Sequence, residues 1–413
     1  MKNMKSSIAV TGNAGPKIRS DCEITLELKD KGGIKINLIS KVKTLYGDSI
    51  INLASEILDF YSFKNCILNV IDSGALPFVI SARIEAAIKK VIHTDLDFLP
   101  EFNQKNFYST EHDRFRFSRL YLPGNSPALM INAGLHSAYG IILDLEDSVA
   151  PEKKDEARIL VRNALRQVDF YGAERMVRIN QGEKGVEDLH FVVPNNVNLI
   201  LIPKCESADH IKKIDDEIAL INREQSDKNR VFLMPIIESA LGIENSYSIA
   251  RSSENIVALA IGLEDYTADL GVPRTMVGNE SFYARTRLIV AARAAGIQPI
   301  DSVFSDIDDM EGLKENVHTS KALGFEGMGC IHPRQIPIIN KGYAPDENEI
   351  ERAKKIVLAF EKAKSDGLGV VALGSKMIDP PVVARAQKTI DLAFRLGLVS
   401  DSRADNIESE EMN

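Results

Sequence analysis

From residue 119 onward the chain repeats one pattern, a short continuous apolar run followed by a longer amphipathic stretch. The eight runs are RLYL (119–122), GIILDL (140–145), RMVRI (175–179), NLILIP (198–203), VFLMPII (231–237), VALAIG (257–262), IQPIDSV (297–303) and GMGCI (327–331). Between them lie helical patterns such as KKDEARILVRNALR, ADHIKKIDDEIALINRE and SFYARTRLIVAARAAG. A strand that is apolar throughout must be covered on both faces, as parallel strands under helices are. Eight of them suit a closed (β/α)8 barrel better than an open doubly wound sheet. The expected fold class is therefore α/β, with a TIM barrel over residues 118–400. The glycine-rich eighth run is the one with least strand-forming character.

Residues 1–92 follow a different plan. CEITLEL (22–28) and GIKINLIS (33–40) alternate apolar and polar residues around KDKGG, the pattern of a β-hairpin. Asp48 is a candidate cap for a helix through SIINLASEILDF. NCILNVID then reads as a strand and SARIEAAIKKVI as an amphipathic helix. The sum is a small β-β-α-β-α unit. Residues 93–117, aromatic and charged with no clean period, read as a connector whose aromatics pack on something. The polar, acidic segment 401–413 reads as a disordered tail.

Composition narrows the function classes. A net charge of −9 with no dense Lys/Arg block argues against nucleic acid or an anionic membrane as partner. Cys22, Cys66, Cys205 and Cys330 are scattered, with no CxxC pair to suggest a zinc site or disulfide framework. No apolar run is long enough to span a bilayer, and MKNMKSS leads into no secretory h-region. A cytoplasmic setting is the simplest expectation.

In a barrel of this kind the active site lies at the C-terminal ends of the strands. Charged residues gather there. PGN (123–125) follows the first run and Glu146 and Asp147 the second. Arg178 and Asn180 end the third, Lys204 the fourth, Glu238 the fifth, and Glu264 and Asp265 the sixth. His332 and Arg334 follow the eighth. The opposite strand ends look apolar or ordinary. Glu238 and Asp265, from adjacent strands, can face one hard cation, and Mg²⁺ favours one or two carboxylates plus waters and substrate oxygens. A bound metal would also let several carboxylates stay ionised together. Each acid could instead cap the helix that follows it. Arg178 could hold a carboxylate through paired hydrogen bonds or form a surface ion pair. Lys204 could bind an anion, serve as a Schiff-base nucleophile or pair with acids, and neighbouring carboxylates favour the electrostatic role. His332, with no ligand partner at metal spacing, reads as structural.

These segments resemble the citrate lyase β-subunit family of acyl-thioester lyases (HpcH/HpaI aldolase-like), which includes malyl- and citramalyl-thioester lyases. The likeness runs from about residue 114 to 395 through RLYLPGN, GIILDLEDSVAPEKKDEAR, MVRIN, LIPKCES, IIESALGI, IGLEDY, IHPRQI, YAPDENEIERA and LGSKMIDPPVV. Residues 8–92 resemble the citrate lyase acyl carrier (γ) subunit through GDSI and DSGALPFVISARIEAAI, so the chain looks like a carrier–lyase fusion. The resemblance implies Mg²⁺-dependent cleavage of a 3-hydroxyacyl thioester, on CoA or an acyl carrier, to an acetyl-type thioester and a 2-oxoacid. It implies Glu238 and Asp265 as metal ligands, Glu146 and Asp147 on the metal's waters, and Arg178 on the oxoacid. It makes Asp379, in SKMID, a proton-exchanging group for an adjacent protomer in a trimer. From its own surroundings Asp379 reads as the N-cap before PPVVARAQ. A transferase partner subunit, outside this chain, is also implied.

The chain departs from the family at two places. In the carrier family a serine just before an Asp bears a phosphoribosyl-dephospho-CoA arm. In GPKIRSDCEI the ungapped placement puts Arg19 at that position, and a one-residue shift would make Ser20 the attachment site. Near the eighth strand Met328 stands where many members carry Lys, which would remove a cation near the site. Two alternatives to the metal-dependent lyase remain open from sequence: a Schiff-base aldolase using Lys204, and a non-catalytic thioester-binding carrier or assembly component.

Overall fold

The computed structural model describes residues 6–223, 230–365, 367, 369–373 and 376–400. Segment 401–413, read above as a tail, lies outside them. The N-terminal segment forms β1 (Ile8–Gly12), β2 (Cys22–Leu28), β3 (Ile34–Ser40), α1 (Lys43–Phe60), β4 (Cys66–Asp72) and α2 (Pro77–Val91). Its sheet runs in the order β1-β2-β4-β3. β2 and β3 are therefore not a hairpin, contrary to the expectation from alternation. β4 lies between them, antiparallel to β2 and parallel to β3. The β3–α1–β4 crossover lets α1 bury Ile50, Ala54, Ile57 and Leu58 against one face of the sheet. Helix α1 begins before Asp48, at Lys43, and has no side-chain cap. Backbone N–H groups of Leu45 and Tyr46 bond Val42 O instead, at 3.0 Å each, which leaves no capping residue to recognise.

Residues 93–117 carry one 3₁₀ turn, Gln104–Asn106. They lie along the end of the barrel away from the site. Asn103 N donates to Arg166 O (2.7 Å), Tyr108 OH to Ala173 O (2.7 Å), and Arg116 pairs with Glu174 through two 2.8 Å bonds.

Eight parallel strands follow: β5 (Ser118–Pro123), β6 (Gly140–Asp144), β7 (Glu174–Arg178), β8 (Leu199–Ile202), β9 (Phe232–Ile237), β10 (Ala258–Ile261), β11 (Gln298–Ile300) and β12 (Met328–Cys330). Each overlaps one of the apolar runs. The sheet order is β11-β10-β9-β8-β7-β6-β5-β12. It closes through a single bridge, Asp301 to Met328, with Asp301 N bonded to Gly327 O (2.8 Å). Inward side chains such as Ile142, Met176, Leu201, Met234, Ile236 and Ile300 fill the barrel, and full burial of each contributes about 1.5–3 kcal/mol. The connecting helices are α3 (Pro127–Met130), α4 (Lys154–Gln167), α5 (Gly182–Val192), α6 (Ala208–Arg223), α7 (Ala240–Ala250), α8 (Leu263–Leu270), α9 (Asn279–Ala295) and α10 (Met310–Leu323). The strand starts are not as ordinary as the sequence suggested, because Arg116, Glu174 and Arg175 are buried there and paired.

The chain divides into two units. The first runs to Met310 and takes in Ala322–Ile336, and the second comprises Glu311–Lys321 and the chain from Pro337 on. The N-terminal sheet and the barrel thus share one unit. The second unit carries α11 (Ile336–Tyr343), α12 (Glu347–Ser365), β13 (Val371–Leu373), β14 (Lys376–Ile378) and α13 (Pro380–Arg395). Helices α12 and α13 pack through Ala353, Ile356, Ala386 and Ile390. Among the described residues no helix is long and apolar enough to cross a membrane, and the four cysteines are buried and unbridged.

Candidate active site

Strand parity places Asp144 and Arg178 side by side at the ends of β6 and β7, where they are register partners. Arg178 Nε and Nη2 donate to the two carboxylate oxygens of Asp144, at 2.7 Å each. Its Nη1 lies 3.0 Å from Glu146 and 3.8 Å from the exposed Asp147. Asp144 also accepts from Glu146 N (3.0 Å) and Ser148 N (3.3 Å), and Glu146 accepts from Gln181 Nε2 (2.6 Å). The crowding of acids in DLED is therefore balanced within the chain itself, by a cation from the next strand.

Burial opposes the charged form of Asp144, but the Arg178 hydrogen bonds and charge outweigh it and hold the carboxyl below its usual range. Burial likewise opposes the Arg178 charge, and Asp144 overcomes this and raises its pKa. At Glu146 burial prevails over Arg178, and the carboxyl is pushed up. Asp144, the last residue of β6, is the principal partner of Arg178.

Glu238 ends β9. Its Oε1 accepts Lys204 N–H at 2.7 Å, and its Oε2 lies over Gly262, where a Cβ would sit 2.4 Å away. The missing side chain at 262 is what makes room for this carboxylate. Burial is the main reason its pKa is pushed up to about 8, with the Asp265 charge adding to it. Asp265 lies in the first turn of α8, where the helix dipole favours an anion. Lys204 Nζ is 3.3 Å from Asp265, and Lys204 itself has a left-handed backbone, φ 46°. Burial lowers the Lys204 pKa, but Asp265 and its neighbours outweigh that and raise it. An amine held protonated in this way is a poor Schiff-base nucleophile.

Arg119, Tyr121, Asp144, Arg178, Glu238 and Asp265 all line one cavity of about 480 Å³. Arg119 opens the apolar run RLYL, which masks it in the sequence. Its parity with Tyr121 and Pro123 was the available signal, since residues two apart share a strand face. It is fully buried and its Nη1 lies 3.0 Å from Met234 Sδ. Met328 is buried but is not part of the cavity wall, to which Gly329 and Ile331 contribute. Its presence in place of Lys therefore takes no cation from the lining.

Of the remaining predicted residues, Glu264 also lines the cavity. His332 caps a 3₁₀ turn in a capping box, and Arg334 pairs with Asp308 at 2.9 Å. Glu264 pairs with Arg274 at 2.8 Å. Asp379 lies on the second unit and caps α13, accepting Val382 N–H at 3.2 Å. Ser20 is half-buried with φ 56°, next to the buried Asp21.

Among the described residues no three His, Cys, Asp or Glu side chains converge as a closed metal cage. A two-carboxylate Mg²⁺ site does not need one, since that ion keeps several waters. The donor set fits. Glu238, just after β9, and Asp265, in the first turn of α8, line one cavity, and a lysine ammonium already sits beside Asp265.

The HpcH/HpaI aldolase/citrate lyase family model matches residues 118–333, more than half of the chain. The chain belongs to this family. In this citrate lyase-family protein residues 10–91 match a second model, the malonate decarboxylase delta subunit (MdcD) acyl carrier family. The citrate lyase subunit beta of Leuconostoc mesenteroides subsp. cremoris is 39% identical over 72% of this chain and 99% of its own length. The human mitochondrial citramalyl-CoA lyase is 28% identical over 77% of this chain and 98% of its own. Among solved structures, the CitE protein of Mycobacterium tuberculosis in complex with magnesium, acetoacetate and coenzyme A is 28% identical. It covers 68% of this chain and 99% of its own, with a TM-score of 0.58. The named relatives of this chain are carbon–carbon lyases.

Proposed function

We propose that this chain is a Mg²⁺-dependent carbon–carbon lyase. It cleaves a 3-hydroxyacyl thioester of the citryl, citramalyl or malyl type to an acetyl-type thioester and a 2-oxoacid. The observation that carries this reading is the placing of Glu238, just after β9, and Asp265, in the first turn of α8 after β10, in one cavity with Arg178. Those two carboxylates would hold the ion, and Mg²⁺, when bound, would act as a Lewis acid on the oxygens of the oxoacid portion. Arg178, already steered by Asp144, would present its remaining donors to the substrate carboxylate. Glu146 and Asp147 would hold the metal's waters, and Asp379 would exchange the carbon proton for a neighbouring protomer. The held charge on Lys204 disfavours the imine alternative.

The further parts of the reading are a cytoplasmic setting, a transferase partner and a homo-oligomer, a trimer. Exposed apolar side chains on α7, α9 and the segment between α8 and α9, including Leu241, Met276, Val277, Phe282 and Val290, support the oligomer. Residues 1–92 and 118–400 would work as carrier-like and lyase domains. An arm of the phosphoribosyl-dephospho-CoA type at Ser20 is the matching cofactor proposal. Intact-protein mass from the native host should then show a covalent addition that is lost in Ser20→Ala, and an unmodified native mass refutes it.

The metal reading is tested by thorough chelation, after which cleavage should vanish and return with Mg²⁺. Full activity after metal removal overturns it. Metal binding should also be linked to protons. With the Glu238 pKa at about 8 in the metal-free chain, a proton occupies that carboxyl below this pH and must leave when metal binds. The apparent Mg²⁺ Kd, measured calorimetrically, should fall roughly tenfold per pH unit from about pH 6 to 8 and level off above. A pH-independent Kd would show that Glu238 is not a ligand.

A further inference from the structure

We propose that the N-terminal carrier-like unit is a fixed buttress behind the barrel loop that follows β5 rather than a swinging carrier, and that its Arg83 is a positioning residue for the active site. A carrier that swings must release its neighbour, so its docking face should be small and well hydrated. The face between α2 and α4 is neither. Arg83 has no exposed side-chain surface. Its Nε and Nη2 grip the two oxygens of Asp21, at 3.0 Å each, which aims the guanidinium out of the small sheet. Its Nη1 then donates to Asn125 Oδ1 at 2.6 Å and its Nη2 to Asn125 O at 3.3 Å. Asn125 belongs to the barrel loop that follows β5.

Three further contacts hold the same face. Glu156 accepts Gly12 N–H at 3.1 Å, while Lys153 Nζ donates to Gly12 O at 3.2 Å, so α4 clamps the end of β1. Gly12 has φ 75°, and a Cβ there would sit 1.9 Å from Cys22 O, so only glycine fits. Arg162 makes paired bonds of 2.9 and 2.7 Å with Glu85. Separating the units would break the buried Arg162–Glu85 pair, part Glu156 from Arg83 and undo the Arg83–Asn125 bonds together.

The loop held by Arg83 leads directly to the site. Gly124, next to Asn125, donates its N–H to Asp144 O at 2.7 Å, and a Cβ at 124 would lie 2.6 Å from that oxygen. Asp144 is the carboxylate that aims Arg178. A continuous set of contacts therefore runs from Asp21 through Arg83, Asn125 and Gly124 to Asp144 and Arg178. On this arrangement an acyl thioester enters a site whose β5 loop is braced from behind, and the N-terminal unit contributes geometry whether or not Ser20 bears an arm.

The test uses the full chain with Arg83→Gln, Asn125→Ala and the double variant. Asn125→Ala leaves the Arg83–Asp21 pair and the docked unit intact, so it stays informative if Arg83→Gln folds poorly. Activity rests on the lyase reading and is measured with Mg²⁺ and citryl-, citramalyl- and malyl-CoA. Each single variant should lose about 10–100-fold in kcat with little change in KM, as for a displaced positioning group. The double variant should be no worse than the weaker single one, because both changes break one path. Amide exchange at Gly124 should quicken in all three while α1 and β4 remain protected. Wild-type kcat and wild-type exchange at Gly124 in Asn125→Ala would overturn the proposal. So would wild-type protein in which the amides of α2 exchange together as the unit detaches. If the wild type cleaves none of the three thioesters, the lyase reading fails, and the exchange measurement alone decides this inference.

Discussion

Glu238→Gln should reduce thioester cleavage by about 10³-fold or more while the protein melts within a few degrees of wild type. Losing the Lewis-acid contribution of a bound ion costs several kcal/mol, and about 4 kcal/mol corresponds to roughly three decades in rate. The glutamine keeps the shape that fits over Gly262 and still accepts Lys204 N–H, so packing around β9 survives. It also removes a buried carboxyl that burial already disfavours in its charged form. Steady-state cleavage, acyl-CoA binding by calorimetry and a melting curve would be measured together. Retained binding with lost cleavage marks a catalyst. Unchanged cleavage would show that this carboxylate takes no part, and loss of fold would show that its role is structural.

Arg178→Met should be the more disruptive change, costing about 3–5 kcal/mol of stability as well as activity. Removing one partner of a buried pair leaves the other charge uncompensated. Here Asp144 and Glu146 would face each other across a buried site without the guanidinium between them. The pH dependence has a definite sign. In the wild type the lowered pKa of Asp144 gives stability that is present above its unfolded value of about 3.9 and lost as pH falls through the folded one. In the variant that stability is absent at neutral pH, and the carboxyl, now free of Arg178, is pushed up by burial. The gap between variant and wild type should therefore be widest near pH 7 and narrow towards pH 4. Denaturant melts across that range check it. A gap that does not change with pH would mean the loss comes from packing, not from charge.

The barrel was legible because most of its strands are continuous apolar runs, and few structures other than a parallel sheet under helices bury such runs. The site was legible in part for the same reason, since strand ends are easy to locate and their charges stand out. Partners were harder to read. Alternation identified β2 and β3 but could not say that β4, more than twenty residues further on, would insert between them. Strand β1, only five residues long, gave too short a pattern to find. The pairing of Asp144 with Arg178 depends on the register between β6 and β7, which no spacing within either strand records. Arg83 and Glu85 looked like ordinary charges on an amphipathic helix. They are buried because α2 is covered on both sides, and a helical period cannot reveal that second cover.

Helix α4 has the same property, with every residue from Glu156 to Leu165 buried. It answers to two neighbours at once, the barrel strands beneath it and α2 above. A change at Arg162 must be matched at Glu85, and a change at Glu156 must still suit Gly12. The two halves of the chain can therefore drift only in concert. Whatever history joined them, substitutions of this kind act as a ratchet: once charges are buried across the join, neither half can be returned to separate life by cutting the gene between residues 92 and 118.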